Sequence, residues 1–272
     1  MKKILLITTG GTIASIKTDT GLLPGLVGEQ LLEFIPNIKN MCTVDIKSLF
    51  SIDSTNIYYK HWLRIAEEIK SNYDKYDGFI ICHGTDTMSY TASALSYLIQ
   101  DSKKPIVLTG AQKPINLDIS DAKTNLYDSF TYVCDSQASG VVLIFNGNVI
   151  LGTRARKVRT KSFDAFSSID YPKVAIVKEG QVIPYITNLS KDTKFLKGDG
   201  FVLEQCYNVH AAKAQQESAF NRAFANNEYA MYASQGVYLN DNIAFIDKPK
   251  GRNRYTCTLK YNNVCKKITQ TY

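Results

Sequence analysis

The first 185 residues alternate short apolar runs with helical stripes, and this alternation limits the possible folds more than any other feature of the chain. Lys3–Thr9, Thr43–Phe50, Gly78–Cys82, Pro105–Leu108 and Gly140–Phe145 read as strands. Between them Trp62, Ile65, Ala66 and Ile69 fall at i, i+3, i+4 and i+7, one face of a helix. Met88, Ala92, Leu95, Leu98 and Ile99 form a second stripe, and Ile119, Ala122, Leu126, Phe130 and Val133 a third. Strands separated by helices of this length imply βαβ units. The expected class is therefore α/β: a doubly wound, mostly parallel, Rossmann-like sheet with helices on both faces. Such sheets bind ligands beyond the carboxyl ends of their strands.

After Tyr185 the patterning weakens. A helix over 211–225 and strands over 229–238 and 256–261 are expected, without a clear βαβ repeat. The chain thus reads as an N-terminal catalytic domain, residues 1–187, and a shortened or diverged C-terminal region, residues 188–272. The net charge of +7 is uneven: residues 188–272 carry 12 lysines and arginines against 7 acids, with no acid after Asp247. A basic tail of this kind can touch nucleic acid. A solvated tail is the simpler expectation, and nucleic acid is not expected as a partner.

Six scattered cysteines with no C-x-x-C pair, and three histidines in all, argue against a zinc site. The apolar run after Lys2 and Lys3 stops after four residues, short of a secretory signal. No segment approaches the roughly 20 apolar residues of a membrane helix. The expectation is a cytoplasmic protein with reduced thiols, no metal and no membrane partner.

Three polar clusters directly follow strand ends. The first, Thr8-Thr9-Gly10-Gly11-Thr12-Ile13-Ala14, has a glycine pair that lets the chain turn and expose a hydroxyl. It lacks the spacing of a nucleotide loop, and alone it is equally a simple turn. The second, Ile52-Asp53-Ser54-Thr55, suits binding an ammonium group and a carboxylate, but a helix cap or turn is the commoner use. The third, His83-Gly84-Thr85-Asp86-Thr87-Met88, opens a helix whose N-terminal amides can face a developing oxyanion. Its structural alternatives are an N-cap at Asp86 or Thr87 and a core role for His83. A fourth cluster, Thr153 to Lys161, places five cations in nine residues. That is usually a solvated face, but a lysine drawn inward beside an aspartate can activate a hydroxyl.

Taken together, T-G-G-T-I-A at 9–14 and H-G-T-D-T-M at 83–88 resemble the two signature segments of the bacterial-type L-asparaginases. The resemblance covers residues 1–187 and is nearest to the cytosolic type I branch. It extends to I-D-S-T-N at 52–56, K-P-I-V-L-T-G-A-Q at 104–112 and G-T-R-A-R-K-V-R-T-K-S-F-D-A-F at 152–166. It implies a cofactor-free amidohydrolase that converts L-asparagine to L-aspartate and ammonia. Thr12 matches the nucleophile, and Thr85, Asp86 and Lys157 match a second catalytic set. Asp53 and Ser54 match residues that grip the substrate's α-amino and α-carboxylate groups. Ala111 matches one that touches the amide through its backbone. The resemblance also implies a homo-oligomer, a dimer or tetramer.

Two features depart from the family pattern. Many asparaginases carry a tyrosine on the loop after the first signature; the matching stretch here is Gly21-Leu22-Leu23-Pro24, without a hydroxyl. Residues 188–272 do not show the small α/β domain with which the family closes its site, as though that region were truncated, frameshifted or diverged. Two other readings follow: an inactive or weakly active remnant of the fold, and an amidase subunit acting on aminoacyl-tRNA. The related tRNA amidases usually add an N-terminal domain that this chain does not show.

Overall fold

The computed structural model describes residues 1–18, 21–24, 28–186 and 193–195, and the strands at 244–245, 254–261 and 264–271. The chain divides into two compact units, Met1–Leu196 and Lys197–Tyr272.

The first unit is built on an eight-stranded sheet. Its parallel part comprises β1 (Lys2–Thr8), β4 (Cys42–Ser48), β5 (Gly78–Cys82), β7 (Pro105–Thr109) and β8 (Gly140–Phe145), in the order β4-β1-β5-β7-β8. β5 and β7 are buried along their whole length. A parallel strand covered on both faces has no polar side to show, so these segments read as continuous apolar runs rather than alternations. Two short strands, β2 (Ser15–Thr18) and β3 (Gly21–Pro24), form a hairpin directly after the first polar cluster, pairing Ser15 with Pro24 and Thr18 with Gly21.

Four helices connect the parallel strands: α1 (Gly28–Glu33), α2 (Tyr59–Asn72), α3 (Met88–Leu98) and α4 (Ala122–Cys134). On one face of the sheet, Ile4, Leu6, Ile80, Cys82, Val107, Val142 and Ile144 form a single cluster with Leu31 of α1 and with Ala122, Leu126, Phe130 and Val133 of α4. The alternate residues of the same strands, such as Ile7, Ile81 and Leu108, are equally buried on the other side. There α3 packs against β7 and β8, and α2 packs against α3. Trp62, Ile65 and Ile69 bury the expected face of α2, and Met88, Ala92, Leu95 and Leu98 that of α3.

The third stripe is one turn too long. Ile119 lies before α4 and is 71% exposed, because the helix begins only at Ala122. Ile99 leaves α3 to form the short strand β6 (Ile99–Gln100).

Past β8 the sheet turns antiparallel, which the strand–helix alternation does not announce. β9 (Asn148–Leu151) folds back on β8, and then β12 (Ala175–Lys178) and β13 (Gln181–Pro184) complete the edge. The β8–β9 turn is Asn146-Gly147, both residues at positive φ. Asn-Gly is the pair that a two-residue hairpin favours, and it is the local signal for this reversal. Two further strands, β10 (Ala155–Lys157) and β11 (Phe166–Ser168), pair antiparallel beside the sheet. β14 (Lys194–Phe195) pairs with β6.

In the second unit, β15 (Ala244–Phe245), β16 (Arg254–Tyr261) and β17 (Val264–Thr271) form a three-stranded antiparallel sheet. The strand expected over 256–261 falls within β16. The helix expected over 211–225 and the strand over 229–238 lie outside the described residues. Among the described residues no helix is long and apolar enough to cross a membrane.

Candidate active site

The sheet order reverses direction at β1. The chain passes from β1 outward to β4, then returns to β5 on the other side of β1. In a doubly wound sheet this reversal opens a crevice beyond the carboxyl ends of the two central strands. The first cluster leaves the end of β1 and the third leaves the end of β5, so both border that crevice.

Backbone contact then draws the clusters together. The ladder runs one residue past the strands: Thr9 N–H and Thr9 Oγ1 both donate to Cys82 O, at 3.1 and 2.9 Å. Ile52 N–H donates to Thr9 O at 3.2 Å, tying in the second cluster. A Cβ on Gly11 would stand 2.5 Å from the Gly84 nitrogen, and one on Gly10 would stand 2.6 Å from the Ile52 backbone. Both glycines have positive φ. A Cβ on Gly84 would in turn lie 2.7 Å from the Ser54 side chain. Only glycine allows three turns to meet this closely. Thr87 Oγ1 adds a 2.6 Å hydrogen bond to Ser54 O, so Thr87 stands at the N-cap position of α3 without capping it through its side chain.

Thr12 begins a short 3-10 turn, Thr12–Ala14, anchored below by fully buried Ile13 and tied by Ser15 Oγ donating to Gly11 O at 3.0 Å. Thr12 itself is half-buried.

Lys157 ends β10, its place fixed by pairing with Phe166 of β11 and by Val158 N–H donating to Ala165 O. Its Nζ donates to Thr85 Oγ1 at 2.7 Å and to Asp86 Oδ1 at 2.7 Å. The Lys157 side chain is 15% exposed, whereas that of Asp86 is 58% exposed. Water therefore screens the ion pair from one side, and the pair matters more for aiming the ammonium than for stability. The other cations of the run are largely engaged. Arg159 pairs with Asp164 at 2.7 Å, and Arg154 lies over the Tyr171 ring.

Ser54 is buried and Asp53 exposed. Asp53 accepts from Thr55 N–H and Thr55 Oγ1, both at 2.8 Å through Oδ1, as the cap of the turn Ser54–Asn56. These two bonds hold its carboxyl below the usual range, so it stays ionised. Ala111 is buried near the start of the loop after β7. His83 is wholly buried, with Nδ1 2.7 Å from Gly84 O and Nε2 2.8 Å from Thr91 Oγ1. Burial lowers its pKa to about 4, so it stays neutral and braces the turn. The structure thus brings Thr85, Asp86 and Lys157 into direct contact and sets Ser54 against Gly84.

Sequence patterning alone does not point to Gln112, Asp121 or Asn125. Asp121 accepts from Gln112 N–H and Lys113 N–H, at 2.9 to 3.1 Å, and from Asn125 Nδ2 at 3.2 Å. Asn125 Nδ2 also donates to Gly110 O at 2.9 Å. Together they clamp the loop that carries Ala111. The one sequence signal is the four-residue spacing of Asp121 and Asn125 at the start of α4, which also fits an ordinary helix start.

Comparison with known proteins adds to this geometry. Residues 3–189 match the family described as Asparaginase, N-terminal. The L-asparaginase of Thermococcus kodakarensis is 37% identical over 182 residues, 66% of this chain and 55% of that protein. L-asparaginase 1 of Escherichia coli K12 is 38% identical over 177 residues, 63% of this chain and 52% of that protein. A glutamyl-tRNA(Gln) amidotransferase subunit of Sulfolobus acidocaldarius is 39% identical over 178 residues, 62% of this chain and 40% of that protein. Among solved structures, the thermostable L-asparaginase from Thermococcus kodakarensis aligns with TM-score 0.66 at 32% identity, covering 76% of this chain and 68% of that one. A probable cytoplasmic L-asparaginase from Campylobacter jejuni aligns with TM-score 0.65 at 30% identity, covering 72% and 61%. The chain spans about half the length of the relatives it matches in sequence.

Proposed function

The chain belongs to the asparaginase family, and within it we propose that this protein hydrolyses the side-chain amide of L-asparagine to L-aspartate and ammonia, with Thr12 as nucleophile. The observation that carries the reading is Lys157, whose ammonium donates to Thr85 and Asp86 across 72 and 71 residues of sequence. A threonine hydroxyl is a weak nucleophile and needs a partner that moves its proton. In this reading Asp86 aims Lys157, and Lys157 polarises Thr85. Thr12 Oγ1 attacks the amide carbon, the C–N bond breaks, and ammonia leaves with the proton Thr12 gave up. A water molecule then attacks the acyl ester: its oxygen stays on the carbonyl carbon as the new carboxylate, and its proton passes through Thr85 back to the Thr12 oxygen as the ester bond breaks.

The substrate's ends have partners of the right chemistry. Asp53 is ionised and exposed, suited to an ammonium, and Ser54 offers a hydroxyl to a carboxylate. Ala111 would meet the amide through its backbone, on the loop that Asp121 holds. A cytoplasmic homo-oligomer belongs to the same reading, and sedimentation velocity tests the assembly.

A second reading is an amidase component of a tRNA amidotransferase, supported by the 39% identity to the Sulfolobus acidocaldarius protein of that kind. Ammonia release from free L-asparagine and free L-glutamine by the purified chain separates the two. Turnover of free L-asparagine supports the first reading. No turnover of either amino acid removes it and leaves the second reading or an inactive remnant of the fold.

A further inference from the structure

We infer that Gln112 is a positioning residue that fixes the proton direction at Thr85 and holds the loop carrying Lys157. This rests on the hydrolytic reading above and extends it to a residue with no role there.

Gln112 links Thr85 to the stretch that follows Lys157. Its Oε1 accepts from Thr85 Oγ1 at 3.4 Å, a long bond. Its Nε2 donates to Ser162 O at 3.2 Å and Arg159 O at 3.5 Å. Two carbonyls on one side require the NH2 there, because a carbonyl can only accept. The amide orientation is therefore set by the loop, and Oε1 must face Thr85.

That orientation has a chemical consequence. Oε1 can only accept, so the Thr85 hydrogen points to Gln112. The Lys157 ammonium, 2.7 Å away, then donates to a Thr85 lone pair. Thr85 therefore holds its proton toward Gln112 and one lone pair toward the Lys157 ammonium, leaving its second lone pair to take up the proton it passes on. A relay assembled before substrate arrives needs no reorganisation during reaction.

The backbone of Gln112 is equally constrained. Its N–H donates to both oxygens of Asp121, at 3.1 and 2.9 Å, and Asp121 is buried. The side chain therefore starts from a fixed point. It bridges the loop after β7 to the 159–162 stretch, which follows Lys157 by two to five residues. Gln112 thus ties the element bearing Ala111 to the element bearing Lys157.

The test uses two variants of the full chain. Gln112→Met keeps the length of the side chain and loses the side chain's polar contacts. Gln112→Glu keeps an oxygen toward Thr85 but cannot donate to Ser162 O and Arg159 O when ionised. With L-asparagine, Gln112→Met should lower kcat about ten- to a hundredfold with KM within about twofold. Gln112→Glu should recover part of that kcat. Amide hydrogen exchange over residues 158–165 should accelerate in both variants and stay unchanged over β5 and β7.

A Gln112→Met kcat within about twofold of the parent overturns the inference, as does a loss confined to KM. If the parent chain releases no ammonia, the hydrolytic reading fails by itself. The exchange experiment then decides the remaining claim: unchanged protection over 158–165 in Gln112→Met overturns the clamp, and lost protection there upholds it.

Discussion

A Cβ on Gly11 would stand 2.5 Å from the backbone nitrogen of Gly84 and 2.6 Å from its Cα. These residues follow different strands and are separated by more than seventy positions in sequence. Their contact lies beyond the carboxyl ends of β1 and β5, where the sheet order reverses. It also accounts for two glycines in the middle of the polar clusters: the turns after β1 and β5 can share a floor only where neither carries a side chain.

Adding one carbon at this contact should therefore be costly. In Gly84→Ala the new Cβ meets Ser54 Cβ and Oγ at 2.7 Å, and buried Ser54 has little room to retreat. The expected loss is about 1–3 kcal/mol of stability. Gly11→Ala should lose more, because its φ of 87° adds backbone strain to the clash. Urea unfolding midpoints check both, and a Gly84→Ala protein as stable as the parent would contradict the packing described.

Lys157, Asp86 and Thr85 should act as one unit. Lys157→Met and Asp86→Ala are each expected to reduce kcat by about a hundredfold or more. The double variant should be little worse than the poorer single one, since residues that work together are non-additive. A double-mutant cycle on kcat reads this directly, and multiplicative losses would mean the two side chains act independently.

Two buried groups set opposing pH dependences of stability. His83 sits at about 4 against 6.5 when unfolded, through burial. Its contribution is present above pH 6.5 and is lost as pH falls toward 4, amounting to up to about 3 kcal/mol. Asp128 is raised to about 6 from 3.8 by burial, partly offset by a hydrogen bond from Gly147 N–H. Its contribution is present below pH 3.8 and is lost as pH rises through 6. Asp128→Asn removes the second dependence. The variant should be more stable than the parent at neutral pH and should lose stability more steeply between pH 6.5 and 4. Urea titrations across that range check it, and parallel curves for the two proteins would contradict it.

The parallel half of the fold is legible in the sequence because its strands are buried on both faces. Gly78–Cys82 and Gly140–Phe145 carry no polar residue, and their helices repeat apolar residues every three or four positions. The antiparallel edge is not, because β9, β12 and β13 are short and partly exposed, without a sustained period. Only Asn146-Gly147 marks the reversal. At the site, Thr85, Asp86 and Lys157 can be named as a set because their segments resemble a known family, and the structure places their side chains in contact. Asp121 and Asn125 escape such a reading, because they act on backbone groups of the loop after β7, which leave no pattern to read. Gln112 ends one of the resembling segments, but its side-chain contacts with Thr85 and the Ser162 carbonyl join loops far apart in sequence. Asp53 shows the converse: a carboxylate beside a hydroxyl is also a turn cap, and its Oδ1 serves Thr55 in that way.

Thr12, on the turn after β1, is the proposed attacking group. It is tested most directly by ammonia release from L-asparagine by the parent chain and by Thr12→Ala, with circular dichroism confirming that both are folded. Turnover by the parent and a loss of about a thousandfold or more in the variant are expected. A folded Thr12→Ala protein that still releases ammonia at a rate comparable to the parent would contradict it.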